Sequence, residues 1–84
     1  MKERLLKSKR ILNNMTQEEM ANEIGISPKS YNLKENGKNP FSLLEVSRIS
    51  EVLNLTLEEV NSIFLQIDFN QNYYGGGRVR WVVI

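Results

Sequence analysis

This chain of 84 residues contains four signals for the start of a helix, and they constrain its fold more than any other feature. Three are capping boxes, in which a Ser or Thr side chain accepts a hydrogen bond from the backbone amide three residues on. The Glu at that later position accepts in turn from the backbone amide of the Ser or Thr. They begin at Thr16, Ser42 and Thr56. The fourth is Ser27 followed by Pro28, since proline suits the first helical position, where the amide has no partner. These signals predict a chain built from helices.

Helix ends are marked as clearly. Gly25 suits the left-handed residue that often follows a helix, and Asn36-Gly37 repeats the signal before Pro40. The predicted helices, each with an apolar stripe at helical spacing, are about 2–13, 17–24, 28–36, 42–53 and 57–66. The expected core comprises Leu6, Met15, Met20, Ala21, Ile24, Ile26, Tyr31, Leu44, Ile49, Val52, Leu53, Leu55 and Val60. We predict an all-α fold, a compact five-helix domain over residues 1–67.

Residues 68–84 differ in kind from this predicted domain. The stretch DFNQNYYGGG is polar and glycine-rich, which is typical of a linker, and RVRWVVI predicts a short strand. A lone apolar strand needs a partner edge. Three interpretations remain open: the strand pairs with its copy in a dimer, it binds back on the helical domain, or the segment is a poorly ordered or non-native extension.

The residue inventory argues against an enzyme. The chain has no cysteine and no histidine, which removes thiolate nucleophiles, the usual zinc sites and the commonest general base. Its carboxylates stand mainly at predicted helix starts, where capping explains them, so we expect no metal or cofactor. No apolar run approaches the ~20 residues that span a bilayer. Because the charged N-terminus MKERLLKSKR lacks an apolar signal segment, we expect a cytoplasmic protein.

The predicted helix 28–36 is unusually polar for part of a small core. It carries Lys29, Ser30, Asn32 and Lys34 within nine residues. The first 40 residues of the chain hold eight basic and five acidic residues, whereas the remainder holds three and five. A basic half that contains a polar helix favours a polyanion as the partner of one helix face.

The stretch MTQEEMANEIGISPKSYNLKENGK, residues 15–38, resembles the helix-turn-helix of the phage repressor and Cro-type transcriptional regulators, the XRE-type family. The residues in matching places are Thr16, Gln17, Ala21, Gly25, Ile26, Ser27, Glu35, Asn36, Gly37 and Lys38. The similarity runs from about Leu5 to Phe64 and leaves out the glycine-rich tail. The resemblance implies a repressor-like domain that binds double-stranded DNA sequence-specifically, with helix 28–36 in the major groove.

The resemblance also implies roles for individual residues. Base contacts are expected from Ser27, Pro28, Lys29, Asn32 and Leu33. Phosphate contacts are expected from Gln17, Ser30, Lys34, Asn36, Lys38 and Asn39. Lys34 stands where the family often has an apolar residue, so a solvated charge is the alternative there. Arg10 and Glu35 match a family pair that joins the first helix to the recognition helix, and we expect a partly buried ion pair.

Pro28 departs from the family, which often has a long polar residue that contacts bases at this position. Since proline offers only van der Waals contact, specificity is expected to depend more on Lys29 and Leu33.

Family members commonly bind inverted repeats as dimers, so we expect a homodimer on a palindromic operator. The candidate dimer surfaces are Leu57, Ile63, Phe64, Leu65, Ile67 and the strand 79–83, although Ile63 and Phe64 are equally suited to completing the core. The predicted function is a transcriptional regulator that acts as a repressor. The alternative is a protein-interaction or antitoxin-like module on the same fold, which binds another protein through its C-terminal tail.

Overall fold

The computed structural model describes residues 1–66, which form helices joined by short turns. The elements are α1 (Glu3–Leu12), α2 (Gln17–Ile24), α3 (Pro28–Glu35), α4 (Leu43–Val52), α5 (Leu57–Val60) and a π-helical turn (Asn61–Leu65). The predicted all-α fold with five helices is confirmed. The fifth helix is shorter than predicted, because its last part becomes the π-helical turn and Gln66 then takes a left-handed φ of 56°. The predicted linker and strand lie outside the described residues.

The predicted helix starts are all present. At α2, Thr16 Oγ1 accepts from the Glu19 amide at 3.0 Å, and Glu19 Oε1 accepts from the Thr16 amide at 2.9 Å. The capping boxes at Ser42 and Thr56 make the same two hydrogen bonds. Ser27 Oγ accepts from the amide three residues on, at 3.1 Å, and so begins α3. Local sequence therefore fixes where each of these helices begins.

Four helices end in one shared motif, in which a left-handed residue follows the helix. These residues, with φ between 53° and 78°, are Asn14, Gly25, Gly37 and Asn54. After α2, the Ile26 amide donates to the Ala21 carbonyl at 3.0 Å and the Gly25 amide donates to the Asn22 carbonyl at 3.3 Å. The same pair of hydrogen bonds closes α1, α3 and α4.

The core lies between α1, α2, α3, α4 and the π-helical turn. Its buried hydrophobic residues are Leu6, Met20, Ala21, Ile24, Tyr31, Val46, Ile49, Leu53 and Ile63. Of the expected core residues, those that are only partly buried are Met15, Ile26, Val52, Leu55 and Val60. Val46 is buried although it was not among the expected core residues, and Ile63, which the sequence left open between the dimer surface and the core, completes the core.

The prediction that Leu44 lies in the core is wrong, since its side chain is 63% exposed. The buried stripe of α4 follows Val46, Ile49 and Leu53, and a residue two positions before Val46 lies on the opposite side of the helix.

The two ends of the described chain lie together. The Lys2 amide donates to the Ile63 carbonyl at 2.8 Å. Phe41 bridges α3 and the π-helical turn, because its ring centroid lies 5.8 Å from that of Tyr31 and 5.8 Å from that of Phe64.

Within residues 1–66, no helix has the length and apolar character needed to cross a membrane.

Candidate nucleic-acid interface

Helix α3 has an inner face that anchors it and an outer face that is open to solvent. Tyr31 and Glu35, four residues apart, are 0% and 2% exposed. Lys29 and Asn32 are exposed, and Leu33 beside them is half-buried. Residues at i, i+3 and i+4 share one side of a helix. The helix that follows the turn at Gly25 therefore presents a continuous polar surface that the core does not use.

The inner face is held by hydrogen bonds that converge on Glu35. Arg10 donates to this carboxylate from Nε at 2.8 Å and from Nη2 at 3.2 Å. Tyr31 Oη donates to it at 2.7 Å, and Gln17 Nε2 donates to it at 2.8 Å. Arg10 Nη1 also donates to the Met15 carbonyl at 2.6 Å. These bonds join α1, α2 and α3 through one carboxylate.

The shifted pKa values of Glu35 and Arg10 favour the charged form of both side chains. Burial on its own would raise the pKa of Glu35, but hydrogen bonds from Arg10, Gln17 and Tyr31 outweigh it and leave that pKa below its ordinary value. The hydrogen bond to Glu35 raises the pKa of Arg10. Burial, followed by the hydrogen bond to Glu35, raises the pKa of Tyr31 far above that of a free phenol. Every buried side-chain nitrogen or oxygen in residues 1–66 has a hydrogen-bond partner.

Gln17 connects this buried cluster to the outer face of α3. Its Nε2 donates inward to Glu35, and its Oε1 accepts from Asn32 Nδ2 at 2.9 Å. Gln17 is half-buried, whereas Asn32 is exposed. The family resemblance implied a phosphate contact for Gln17 at the start of α2, but the sequence gives no sign that both ends of its amide are used within the protein. That arrangement requires the packing of α2 against α3.

Lys34 has a partner that the sequence analysis did not identify. Its Nζ donates to both oxygens of Glu45 at 2.7 and 2.9 Å, and the two side chains are only 17% and 14% exposed. Burial would raise the pKa of Glu45, but the hydrogen bond from Lys34 helps to lower it below its ordinary value. The capping box already holds Glu45 in place through Ser42. The ammonium of Lys34 is therefore directed at the start of α4.

The remaining predicted site residues surround the exposed face of α3. Ser27 and Pro28 are exposed at its first turn, and Ser30 is half-buried. Beyond its end, Asn36, Lys38 and Asn39 are exposed in the loop before α4.

Close packing and a left-handed backbone shape this loop. Asn36 Nδ2 donates to the Asn32 carbonyl at 2.9 Å, which closes the last turn of the helix. At Gly37 the φ is 76°, and an added Cβ would stand 2.5 Å from Glu3 Oε2.

No group of three or more His, Cys, Asp or Glu side chains placed to hold a metal occurs among the residues described.

Comparison with known proteins agrees with this geometry. A family model described as helix-turn-helix matches residues 6–60, well over half of the chain. The chain belongs to the XRE-type helix-turn-helix family. This is a family of DNA-binding transcriptional regulators and not a family of enzymes. No curated protein and no solved structure gives a significant match.

Proposed function

We propose that this XRE-type protein binds double-stranded DNA sequence-specifically, with α3 inserted in the major groove. The observation that carries the proposal is the exposed polar face of α3, whose opposite face is locked to the core through Tyr31 and Glu35. A helix anchored in this way can enter a groove as a rigid body, and its N-terminal residues come nearest the base edges. Rigid presentation favours affinity, because little ordering is needed on binding.

The exposed side chains supply the chemistry of base recognition. The Lys29 ammonium can donate to guanine O6 and N7, and the Asn32 amide carries both a donor and an acceptor. Leu33 is partly exposed and suits a thymine methyl. Ser27 offers a hydroxyl, and Pro28 offers only its ring. We assign base contacts to these five residues, with Lys29 and Asn32 as the main polar ones.

The loop after α3 supplies the backbone contacts in this proposal. Asn36, Lys38 and Asn39 are all exposed there, and the Lys38 ammonium and the side-chain amides of the two asparagines can donate to phosphate oxygens. Ser30 stands at the first turn of α3. Lys34 is not assigned a phosphate because its ammonium is bound to Glu45.

Replacing Lys29 by alanine tests the proposal. Lys29→Ala should lose ~1–3 kcal/mol of binding free energy on the DNA site that the wild-type protein selects from random duplex DNA. It should lose much less on random DNA. Lys7→Ala, an exposed lysine of α1, is the matched control and should leave the base preference unchanged. An equal loss on both DNAs would make Lys29 a phosphate contact. Wild-type binding that lacks sequence preference and salt dependence would contradict the proposal and favour the protein-interaction module.

We further propose that two copies bind an inverted repeat and that occupancy represses transcription. One α3 contacts one half-site, and a symmetric dimer contacts two half-sites about 34 Å apart. Support for an interface between the two copies comes from Leu57 and Leu65, two of the candidate dimer-surface residues, which are 85% and 47% exposed. A selected consensus without two-fold symmetry, or a protein that sediments as a monomer on DNA, would contradict the dimer. A promoter reporter that rises with protein level would contradict repression.

A further inference from the structure

We propose that Gln17 is a positioning residue that fixes the direction in which Asn32 presents its amide, so that this amide selects adenine. The inference rests on the proposed function and goes beyond it, because it assigns one base to one side chain and moves Gln17 from phosphate binding to specificity. It stands on a continuous path of hydrogen bonds from Arg10 through Glu35 and Gln17 to Asn32.

The first step is set by the carboxylate. Glu35 is buried, bound to Arg10 and ionised, so both of its oxygens can only accept hydrogen bonds. Gln17 must therefore turn its NH₂ group toward Glu35, as the 2.8 Å contact between Nε2 and Oε1 shows. The opposite orientation would place two acceptor oxygens against each other. The direction of the Gln17 amide therefore follows from the negative charge of Glu35.

The second step carries this direction to the surface of α3. With its nitrogen turned inward, Gln17 offers only Oε1 to its neighbour, and Asn32 must donate through Nδ2, at 2.9 Å. The Asn32 side chain then keeps its carbonyl oxygen and one N–H for an external partner. An oxygen that accepts and an N–H that donates match adenine N6 and N7 in the major groove. We therefore expect an adenine at the position in each half-site that Asn32 contacts.

This role makes a prediction that a phosphate contact does not make. Loss of a phosphate contact lowers affinity on all sequences alike, whereas loss of a positioning residue changes the preference at one base position. Gln17→Lys separates the two. Lysine can still donate to Glu35 and adds a positive charge near DNA, but it has no oxygen for Asn32.

The experiment selects bound sequences from random duplex DNA with the wild type, Asn32→Ala, Gln17→Lys and Gln17→Met. Asn32→Ala identifies the base position concerned, where we expect the wild type to prefer adenine by roughly 5- to 150-fold. Both Gln17 variants should reduce that preference to about 3-fold or less at this position alone. Glu18→Gln, a change of charge at the next residue of α2, is the control and should keep the preference.

The outcomes separate this inference from the function on which it rests. A wild-type protein that selects no consensus contradicts the proposed function. A wild-type consensus that survives in Gln17→Lys, or that weakens equally at every position, overturns the inference alone.

A second measurement needs no DNA. In the free protein, the side-chain NH₂ resonances of Asn32 should shift between wild type and Gln17→Met in NMR spectra, and those of Asn36 should not. Unchanged Asn32 resonances overturn the inference.

Discussion

Glu35 is the residue that ties the helix-turn-helix to the rest of the domain. Its carboxylate accepts from Arg10, Tyr31 and Gln17, which belong to three different helices. A buried ion pair adds little net stability compared with a well-packed apolar pair, because removing two charges from water offsets their attraction. Removing one member of the pair would leave an isolated buried charge, which is strongly unfavourable, so the two charges require each other in this arrangement.

Removal of one partner measures this effect. Arg10→Met should destabilise the fold by about 3–5 kcal/mol, because the Glu35 charge would remain buried without its cation. The matched control is Lys9→Met, which breaks the ion pair with Glu59 at a site where both side chains are about 30% exposed. That change should cost about 0–1 kcal/mol. Urea unfolding gives both values, and equal losses for the two variants would contradict the role assigned to Arg10.

The lowered pKa of Glu35 predicts acid sensitivity. Its folded pKa lies below its unfolded value of about 4.3, so the unfolded chain binds more protons as the pH falls. The stabilisation from this group is complete above about pH 5 and is lost as the pH falls through the folded pKa. Glu35→Gln should therefore show a shallower fall in unfolding free energy between about pH 5 and pH 3. Parallel pH profiles for the two proteins would mean that another carboxylate causes the acid sensitivity.

At the scale of the helices, a left-handed residue ends each of α1 to α4. Glycine occupies this position after α2 and α3, and asparagine occupies it after α1 and α4. An asparagine tolerates the left-handed conformation better than other residues with a Cβ. The turn between α2 and α3 thus depends on backbone conformation as well as on packing.

Gly25 allows that dependence to be measured. An added Cβ would meet only Arg48 Nη1, at an ordinary 3.7 Å, so the effect of a substitution is conformational and not steric. Gly25→Ala should lose about 1–2 kcal/mol of unfolding free energy. Gly25→Asn should lose less, because the chain itself uses asparagine at Asn14 and Asn54. Denaturant midpoints compare them, and an alanine variant as stable as the wild type would show that the turn does not need its left-handed residue.

Sequence was sufficient for the features that depend on neighbours along the chain. The capping boxes, the Ser27-Pro28 start and the stops at Gly25 and Gly37 each involve a few consecutive residues, so local chemistry determines them. Leu44 was misplaced because three of the four residues 43–46 are apolar, which leaves the position of the apolar stripe of α4 ambiguous.

The contacts across helices were harder to predict. A capping box at Ser42 explains Glu45 completely, so nothing in the sequence signals that it also binds Lys34. The Tyr31–Glu35 contact had a signal in its i, i+4 spacing. The two hydrogen bonds of the Gln17 side chain, to Glu35 and to Asn32, had no signal in the sequence, because they depend on how α2 packs against α3.

At the scale of the whole molecule, the position of charge in space differs from its position in the sequence. Lys34 and Lys38 are four residues apart in the sequence, and the family resemblance implied a phosphate contact for both. The structure pairs Lys34 with Glu45, while Lys38 is exposed in the loop and has no ion pair within residues 1–66. A cation releases condensed counterions from DNA where it neutralises a phosphate, and the charge of Lys34 is already balanced by Glu45.

The salt dependence of DNA binding should therefore distinguish the two lysines. Lys38→Ala should reduce the slope of log K against log salt by about 0.9, the effect of one lost phosphate contact. Lys34→Ala should leave that slope nearly unchanged while lowering the stability of the fold, because Glu45 loses its partner. Fluorescence anisotropy on the selected operator at several salt concentrations gives both slopes. If the Lys34 variant lowers the slope as much as the Lys38 variant, Lys34 leaves Glu45 when DNA binds and contacts a phosphate, contrary to our assignment.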